Sequence, residues 1–288
     1  MVPVAEWERA REQKMERIRP LLRLSMPHVW RHGKVDFLTE ELRQETRIVD
    51  TANVSSLGYD ADMLAVIEKH REGLILDCGA GSQSDYYPNI VNIEIVDYPS
   101  TDVIAVGEHL PFVGGSFDAV ISVAVLEHVR DPFRCAAEIV RVLKPGGDLL
   151  CSVPFLQPLH GYPHHYFNAT PQGIRRLFED GMANLVVSVP AACHPVHAVH
   201  WILSSWAQGL PAAARETFLN MRVSDLLATS PWNMLNEPFA RELPTGKQLE
   251  LACGTVLTAQ KPAVAALPAQ VAMFAHRVAR SLKWRISA

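Results

Sequence analysis

Apolar positions along this chain follow two rhythms. Between residues 74 and 153 short apolar runs alternate with stretches in which apolar residues recur at helical spacing. The runs at 74–78, 90–96, 102–106, 117–123 and 147–153 read as buried strands, and 185–189 and 249–259 continue the series. The clearest helix is 131–143: Asp131-Pro132 supplies an N-cap and a proline at the first helical position, and Pro145-Gly146-Gly147 stops it. A second helix starts at Thr170-Pro171 and ends by Gly181, and a third pattern, Ala61 to Arg71, precedes the first strand. Strands that alternate with helices predict an α/β domain whose mostly parallel sheet is doubly wound, with both faces covered.

Outside that region the rhythm changes. Residues 1–60 read as a charged helical lead whose apolar points are Trp7, Met15, Ile18 and Leu22. Residues 192–245 are helical and interrupt the last two strands, so the core is predicted as 61–191 plus 246–262 and 192–245 as a helical cap inserted into it. The tail 263–288 carries Val271, Phe274, Val278 and Leu282 on one helical face and basic residues opposite. Two readings stand for it: a final packed helix, or a weak contact with an anionic membrane surface through 264–288.

Composition narrows the classes. A formal net charge of −4 gives no support for a nucleic-acid partner. Five cysteines without a C-x-x-C pair, three of them in strand-like runs, suggest a reducing compartment. The charged stretch Met1–Arg19 has no apolar core of a signal peptide. The expectation is a cytoplasmic protein.

The chemistry is concentrated where the first apolar run ends in Asp77-Cys78-Gly79-Ala80-Gly81. Glycines at the carboxyl end of a parallel strand let backbone approach a nucleotide-like ligand. A carboxylate at the strand tip would repel a pyrophosphate and attract an ammonium or a sulfonium, which points to S-adenosylmethionine. Four further landmarks follow in order: Asn92-Ile93-Glu94; Glu108-His109-Leu110-Pro111-Phe112; Ser116-Phe117-Asp118-Ala119-Val120-Ile121-Ser122 with Leu126-Glu127-His128-Val129; and Glu138 to Gly147. Together, over residues 74–154, they resemble the core of a class I S-adenosylmethionine-dependent methyltransferase of the type 11 kind.

That resemblance implies a Rossmann-like methyltransferase fold of seven strands, the last reversed. It implies a cofactor site formed by Asp77, Gly79, Ala80, Gly81, Glu94, Glu108, His109 and Ser122, with Glu94 on the ribose hydroxyls and Asp97 as its rival. Two departures stand out. Ser82 to Asn89 is too short for the usual crossover helix, and Val106-Gly107 replace an acid that often holds the adenine. The acceptor side is predicted at 154–168, after the fifth strand, where His160, His164 and His165 join His128 as candidate bases and Tyr162, Tyr166 and Phe167 as flat walls. The catalytic candidates are therefore His128, His160 and His165. Neither the His160/His164/His165 nor the His194/His197/His200 group has a Cys or acid at ligand spacing, so no metal is expected. The expected activity is methyl transfer to a small-molecule or glycan acceptor, at oxygen. The alternative is a non-enzymatic module that binds cofactor or partner on the same fold.

Overall fold

The computed structural model describes residues 2–48, 58–161 and 163–258. Seven strands form one sheet: β1 (Val29–Arg31), β2 (Lys34–Asp36), β3 (Ile75–Cys78), β4 (Ile90–Glu94), β5 (Val103–Ile104), β6 (Phe117–Val123) and β7 (Leu143–Ser152), in the order β1-β2-β5-β4-β3-β6-β7. Every neighbouring pair is parallel except β1 with β2. β3 is the strand from which the order runs outward both ways, through β4 and β5 on one side and β6 and β7 on the other. In such a sheet the crevice beyond the carboxyl ends at that reversal is where ligands bind.

Period-two alternation sorts the core. Leu76, Cys78, Val91, Ile93, Val103 and Val120 face one way, against α1 (Trp7–Ile18), α4 (Pro132–Val142) and α5 (Pro171–Phe178). Ile75, Ile90, Ala119 and Ile121 face the other, against Met63 and Ile67 of α3 (Ala61–Lys69). A shorter helix, α2 (Glu40–Thr46), brings Leu42 to a small cluster beside β5. The capping residues read from sequence at α4 and α5 act as such: the Asp131 carboxylate accepts from Arg134 N at 3.0 Å, and Thr170 Oγ1 from Gly173 N at 3.0 Å.

The short link after β3 contains no helix. Its Tyr86 is buried and stacked on Trp7 of α1, with ring centroids 5.3 Å apart. α1 therefore covers the part of the sheet face that a longer crossover would shield. It is anchored by a fully buried ion pair, Lys14 Nζ to Asp102 Oδ2 at 2.8 Å. Asp102 also accepts from the Tyr86 hydroxyl and from Asn92 N, so none of its lone-pair directions is wasted on apolar surroundings.

Several expectations need correction. The lead 1–60 is not helical throughout: β1 and β2 form a hairpin that joins the sheet through β2 and β5. Its turn, His32-Gly33, has φ of 47° and 73°, the pairing of left-handed residues that suits a two-residue hairpin. No strand forms at 185–189, where Val186 and Val189 stay exposed, nor at 249–259 as far as residue 258. Among the described residues neither run pairs with the sheet, whose last strand is β7. Among the described residues the antiparallel pairing thus lies in an N-terminal hairpin and not in a reversed final strand.

Residues 195–250 fold as helices: α6 (Pro195–Gly209), α7 (Ala212–Leu219), α8 (Val223–Ala228), α9 (Pro231–Met234), α10 (Pro238–Arg241) and α11 (Thr245–Glu250). They have an apolar cluster of their own around Ala207, Leu210, Phe218, Phe239 and Leu243. Residues 246–250 belong to this helical part and not to the sheet. Contacts divide the chain after Leu251, and the described residues 252–258 contain no helix or strand. The tail expected from 263 onward, like Tyr162, lies outside the described residues. Among the described residues no helix is long and apolar enough to cross a membrane.

Candidate functional site

A cavity of about 420 Å³ opens at the carboxyl ends of β3, β4 and β6. Its floor is the loop after β3, where Gly79 and Gly81 adopt φ of 82° and 63°. A side chain at Gly79 would place its Cβ 2.4 Å from Val125 Cγ2, so both the conformation and the space require glycine there. Gly79 N and Ala80 N both donate to Ile93 O, at 3.0 and 3.1 Å, which ties the loop to β4.

Asp77 lines the cavity from the tip of β3. Its Oδ2 accepts from the Tyr59 hydroxyl at 2.9 Å, and burial pushes its carboxyl up to about 7 against the lowering effect of that hydrogen bond. Beside it, Gln83 donates through Nε2 to Ala80 O, while its buried Oε1 has no partner. Glu94 closes the far side: Oε2 accepts from Gly81 N at 2.8 Å and Oε1 from Ile95 N at 2.6 Å. Burial raises the Glu94 carboxyl, and backbone donors at Ile95, Gly81 and Val96 hold it back. Asp97, the rival acid, is paired with Lys34 and half exposed, away from the cavity wall.

The remaining candidates divide. Ala80 lines the cavity. Glu108 lines it too, but Oε1 accepts from Arg130 N at 3.0 Å, so part of its work is to hold the start of the turn before α4. His109 is turned away: it contacts Glu45 Oε1 through Nε2 at 3.1 Å, and Nδ1 accepts from Arg134 Nη2 at 2.9 Å. Ser122 is fully buried and faces the opposite side of the sheet from Asp77, because Asp77 pairs with Ile121 and the next residue points the other way. Val123, Ala124 and Val125 line the cavity instead. His109→Ala is accordingly expected to leave affinity for S-adenosylhomocysteine unchanged within about twofold in a calorimetric titration, the margin expected of a surface substitution.

The histidines gather at the other wall. His128 and His164 line the cavity, as do Gly161 and Pro163. His164 Nε2 lies 2.7 Å from Arg47 O and donates to it. His128 and His160 pack edge to face, with centroids 5.3 Å apart, over Glu127, which is 0% exposed and whose two oxygens have no hydrogen-bond partner. Burial pushes the Glu127 carboxyl up to about 7 and lowers both imidazoles. His165 is engaged otherwise: Nδ1 accepts from His160 N and Nε2 faces Asn168 Oδ1 at 2.7 Å. Both of its nitrogens are used, which leaves no free atom for a base. Trp201 of α6 packs against the His160 ring with centroids 5.1 Å apart, so the inserted helices reach this loop. Tyr59, Gln83 and Glu127 were not singled out by sequence. Glu127 stands next to a chosen histidine, whereas no local pattern marks the first two.

A glycine turn after the first core strand, an acid at that strand's tip and a second acid at the end of the next define a nucleotide-type cofactor site of the doubly wound class. The Asp77 carboxyl group and the partnerless Gln83 Oε1 suit a cationic group, and the cavity walls Ile95 and Val106 beside Glu94 suit a ribose with a flat base. S-adenosylmethionine therefore fits the residues present.

Comparison with known proteins agrees. Residues 74–151 match the family described as a methyltransferase domain. An uncharacterized methyltransferase of Mycobacterium sp. (strain JLS) is 46% identical over 61 residues, covering 21% of this chain and 24% of that protein. The ubiquinone/menaquinone biosynthesis C-methyltransferase of Haemophilus ducreyi is 25% identical over 163 residues, covering 55% and 61%. The chain thus spans between a quarter and three fifths of the length of these relatives. Among solved structures, an S-adenosylmethionine-dependent methyltransferase from Mesorhizobium loti has 14% identity and a TM-score of 0.33 over 49% of this chain and 91% of that one. Residues 74–151 thus carry a methyltransferase domain of the class I S-adenosylmethionine-dependent kind.

Proposed function

We propose that the protein transfers a methyl group from S-adenosylmethionine to an oxygen of a small-molecule or glycan acceptor. The observation that carries this reading is the single cavity wall sequence: cationic-group acceptors at Asp77 and Gln83, Glu94 beyond them, and the histidine wall opposite. When bound, S-adenosylmethionine supplies a methyl group on a sulfonium, open to in-line displacement. The chain's part is to hold, orient and exclude water. Asp77 and Gln83 would hold the ammonium, Glu94 the ribose hydroxyls. Val123 to Val125 form a dry wall between these groups and the histidines. His128 carries its proton on Nδ1, donated to His164 O at 2.7 Å, so its Nε2 can receive the proton of an acceptor hydroxyl. The helices from 195 to 250, reaching His160 through Trp201, would cover the acceptor side.

Titration of S-adenosylhomocysteine into wild type and Asp77→Ala tests the cofactor site. Micromolar binding, roughly 8 kcal/mol, that the substitution weakens supports it. Binding without any acceptor-dependent product would favour the non-enzymatic module, and no binding to wild type would sink the methyltransferase reading and leave a partner-binding module on the same fold.

The raised Asp77 carboxyl gives a pH dependence with a definite sign. The protonated acid is neutral and attracts an ammonium less, so affinity is expected to rise by about tenfold per pH unit up to about 7 and then level off. Stability of the cofactor-free protein moves the other way. Because the folded carboxyl binds its proton more firmly than the unfolded one, stability is lost as pH rises from the ordinary 3.8 to about 7. Calorimetry from pH 5.5 to 8, in buffers of different ionisation enthalpy, reads the affinity and the proton released; a flat profile in wild type would remove Asp77 as its origin.

A further inference from the structure

From the arrangement of Glu127, His128 and His160 we infer a binding site for one divalent first-row transition-metal ion, held by the Glu127 carboxylate and the two histidine Nε2 atoms. The three donor atoms lie within 4.8 Å of one another. Glu127 Oε1 is 3.7 Å from His128 Nε2 and 4.0 Å from His160 Nε2.

The hydrogen-bond network fixes which ring atoms are free. His128 Nδ1 faces His164 O at 2.7 Å, and His160 Nδ1 faces Pro158 O at 2.8 Å. A carbonyl only accepts, so both rings carry a proton on Nδ1. A neutral imidazole then presents a bare lone pair at Nε2, and both lone pairs point toward a carboxylate with no donor of its own. Three acceptors facing one another inside a protein repel unless something positive sits among them. Histidines that ligate metals show this same outer-shell pattern, with the second ring nitrogen donating to a carbonyl or carboxylate that fixes ring and tautomer.

The donor set selects the ion. Two imidazoles and one carboxylate suit zinc, iron(II), cobalt, nickel or manganese and are poor for calcium or magnesium, which prefer oxygen. Donors at about 2.0–2.2 Å from such an ion lie roughly 3–3.5 Å apart, so the cluster must contract by about half an ångström. His165 is excluded as a ligand because it accepts from His160 N and faces Asn168. Three protein ligands leave coordination positions over, as in sites that bind a reactant. With the ion bound, His128 is a ligand and no longer a base. If the methyltransferase reading holds, an acceptor hydroxyl reaching past His128 would then be acidified by coordination and release its proton to water instead. The site itself does not depend on that reading. Spacing within the 160–165 loop gave no hint of it, since the acid comes from beyond the tip of β6.

Cobalt(II) chloride titrated into the metal-stripped full chain tests the site. The expected result is one equivalent taken up at micromolar concentration or tighter, with visible d–d absorption of an imidazole-ligated ion. Glu127→Gln and His160→Ala should each weaken uptake more than about 100-fold, beyond what outer-shell substitutions cost, while S-adenosylhomocysteine binding reports whether the variants remain folded. A second readout needs no variant: zinc added to histidine-¹⁵N-labelled wild type should move the Nε2 signals of two histidines, His128 and His160, and leave His165 in place. No uptake by wild type, or equal uptake by folded variants, would overturn the site and leave a proton shared within the cluster. Failure of cofactor binding with metal uptake intact would overturn the methyltransferase reading alone.

Discussion

Asp102→Asn is expected to destabilise the fold by about 3–5 kcal/mol, the cost of leaving one partner of a buried ion pair uncompensated. Lys14 and Asp102 are both fully buried side chains, and Lys14 also sits 3.6 Å from the centre of the Tyr86 ring. Burial already lowers the Lys14 ammonium to about 8 despite the opposing pull of Asp102. Without that carboxylate the amine would give up its proton near neutral pH or drag water into the core. Asparagine keeps the shape, but its one carbonyl oxygen can accept from either the Tyr86 hydroxyl or Asn92 N and not both, so the loss reports the charge together with one hydrogen bond. Adding Lys14→Met should restore part of the stability, because it removes the uncompensated ammonium, while Arg11, whose Nε lies 3.5 Å from Asp102 Oδ1, still loses its carboxylate. Urea unfolding of the two single variants and the double variant measures this. A single-variant cost below about 1 kcal/mol, the range of an exposed pair, would mean that water reaches the site.

Glu94→Ala is expected to lower affinity for S-adenosylhomocysteine by at least a hundredfold, about 3 kcal/mol or more for two charge-assisted hydrogen bonds. The carboxylate has two tasks in the structure. It accepts from Gly81 N and Ile95 N, which sets the glycine turn against β4, and it faces the cavity. Glu94→Gln separates them: its single carbonyl oxygen can serve one backbone donor, and its amide cannot accept. If affinity in the glutamine variant recovers to within about threefold of wild type, binding needs neither the charge nor both backbone hydrogen bonds at this position. Loss in both variants, with unchanged thermal unfolding, assigns the effect to the ligand.

Residues 74–154 could be read almost strand by strand because their order is written locally. Caps at Asp131 and Thr170, the apolar run ending at Asp77, and the glycines after it each carry their meaning within a few positions. The family resemblance then brought Glu94, and in the structure both it and His128 line the cavity. Ser122 shows a signal that was present and not used: counting alternate residues from Asp77 through its partner Ile121 puts Ser122 on the far face. The hairpin at 29–36 also had a local mark in His32-Gly33, masked by the charged sequence around it. Other features were not legible. Val186, Val189 and Val256 look like strand residues, yet they stay exposed, since pairing depends on an edge elsewhere in the chain. His109 looks like part of a motif, but Glu45 and Arg134 draw it outward. Tyr59 meets Asp77, and Glu127 meets His160, only through the fold.

The anchoring of α1 has a kinetic side. Lys14 is synthesised 88 residues before its partner Asp102, and β2 likewise precedes β5, the strand it joins. An amphipathic helix with Met15 and Ile18 on its apolar side therefore leaves the ribosome well before any surface exists to receive it. It must wait while β3 and β4 are made, with its cationic side chains still in water. Closing so long a loop is slow compared with pairing neighbouring strands. Docking of α1 is thus a late event on the folding path, and the interval before it is when a half-made chain is most exposed to aggregation and to chaperones.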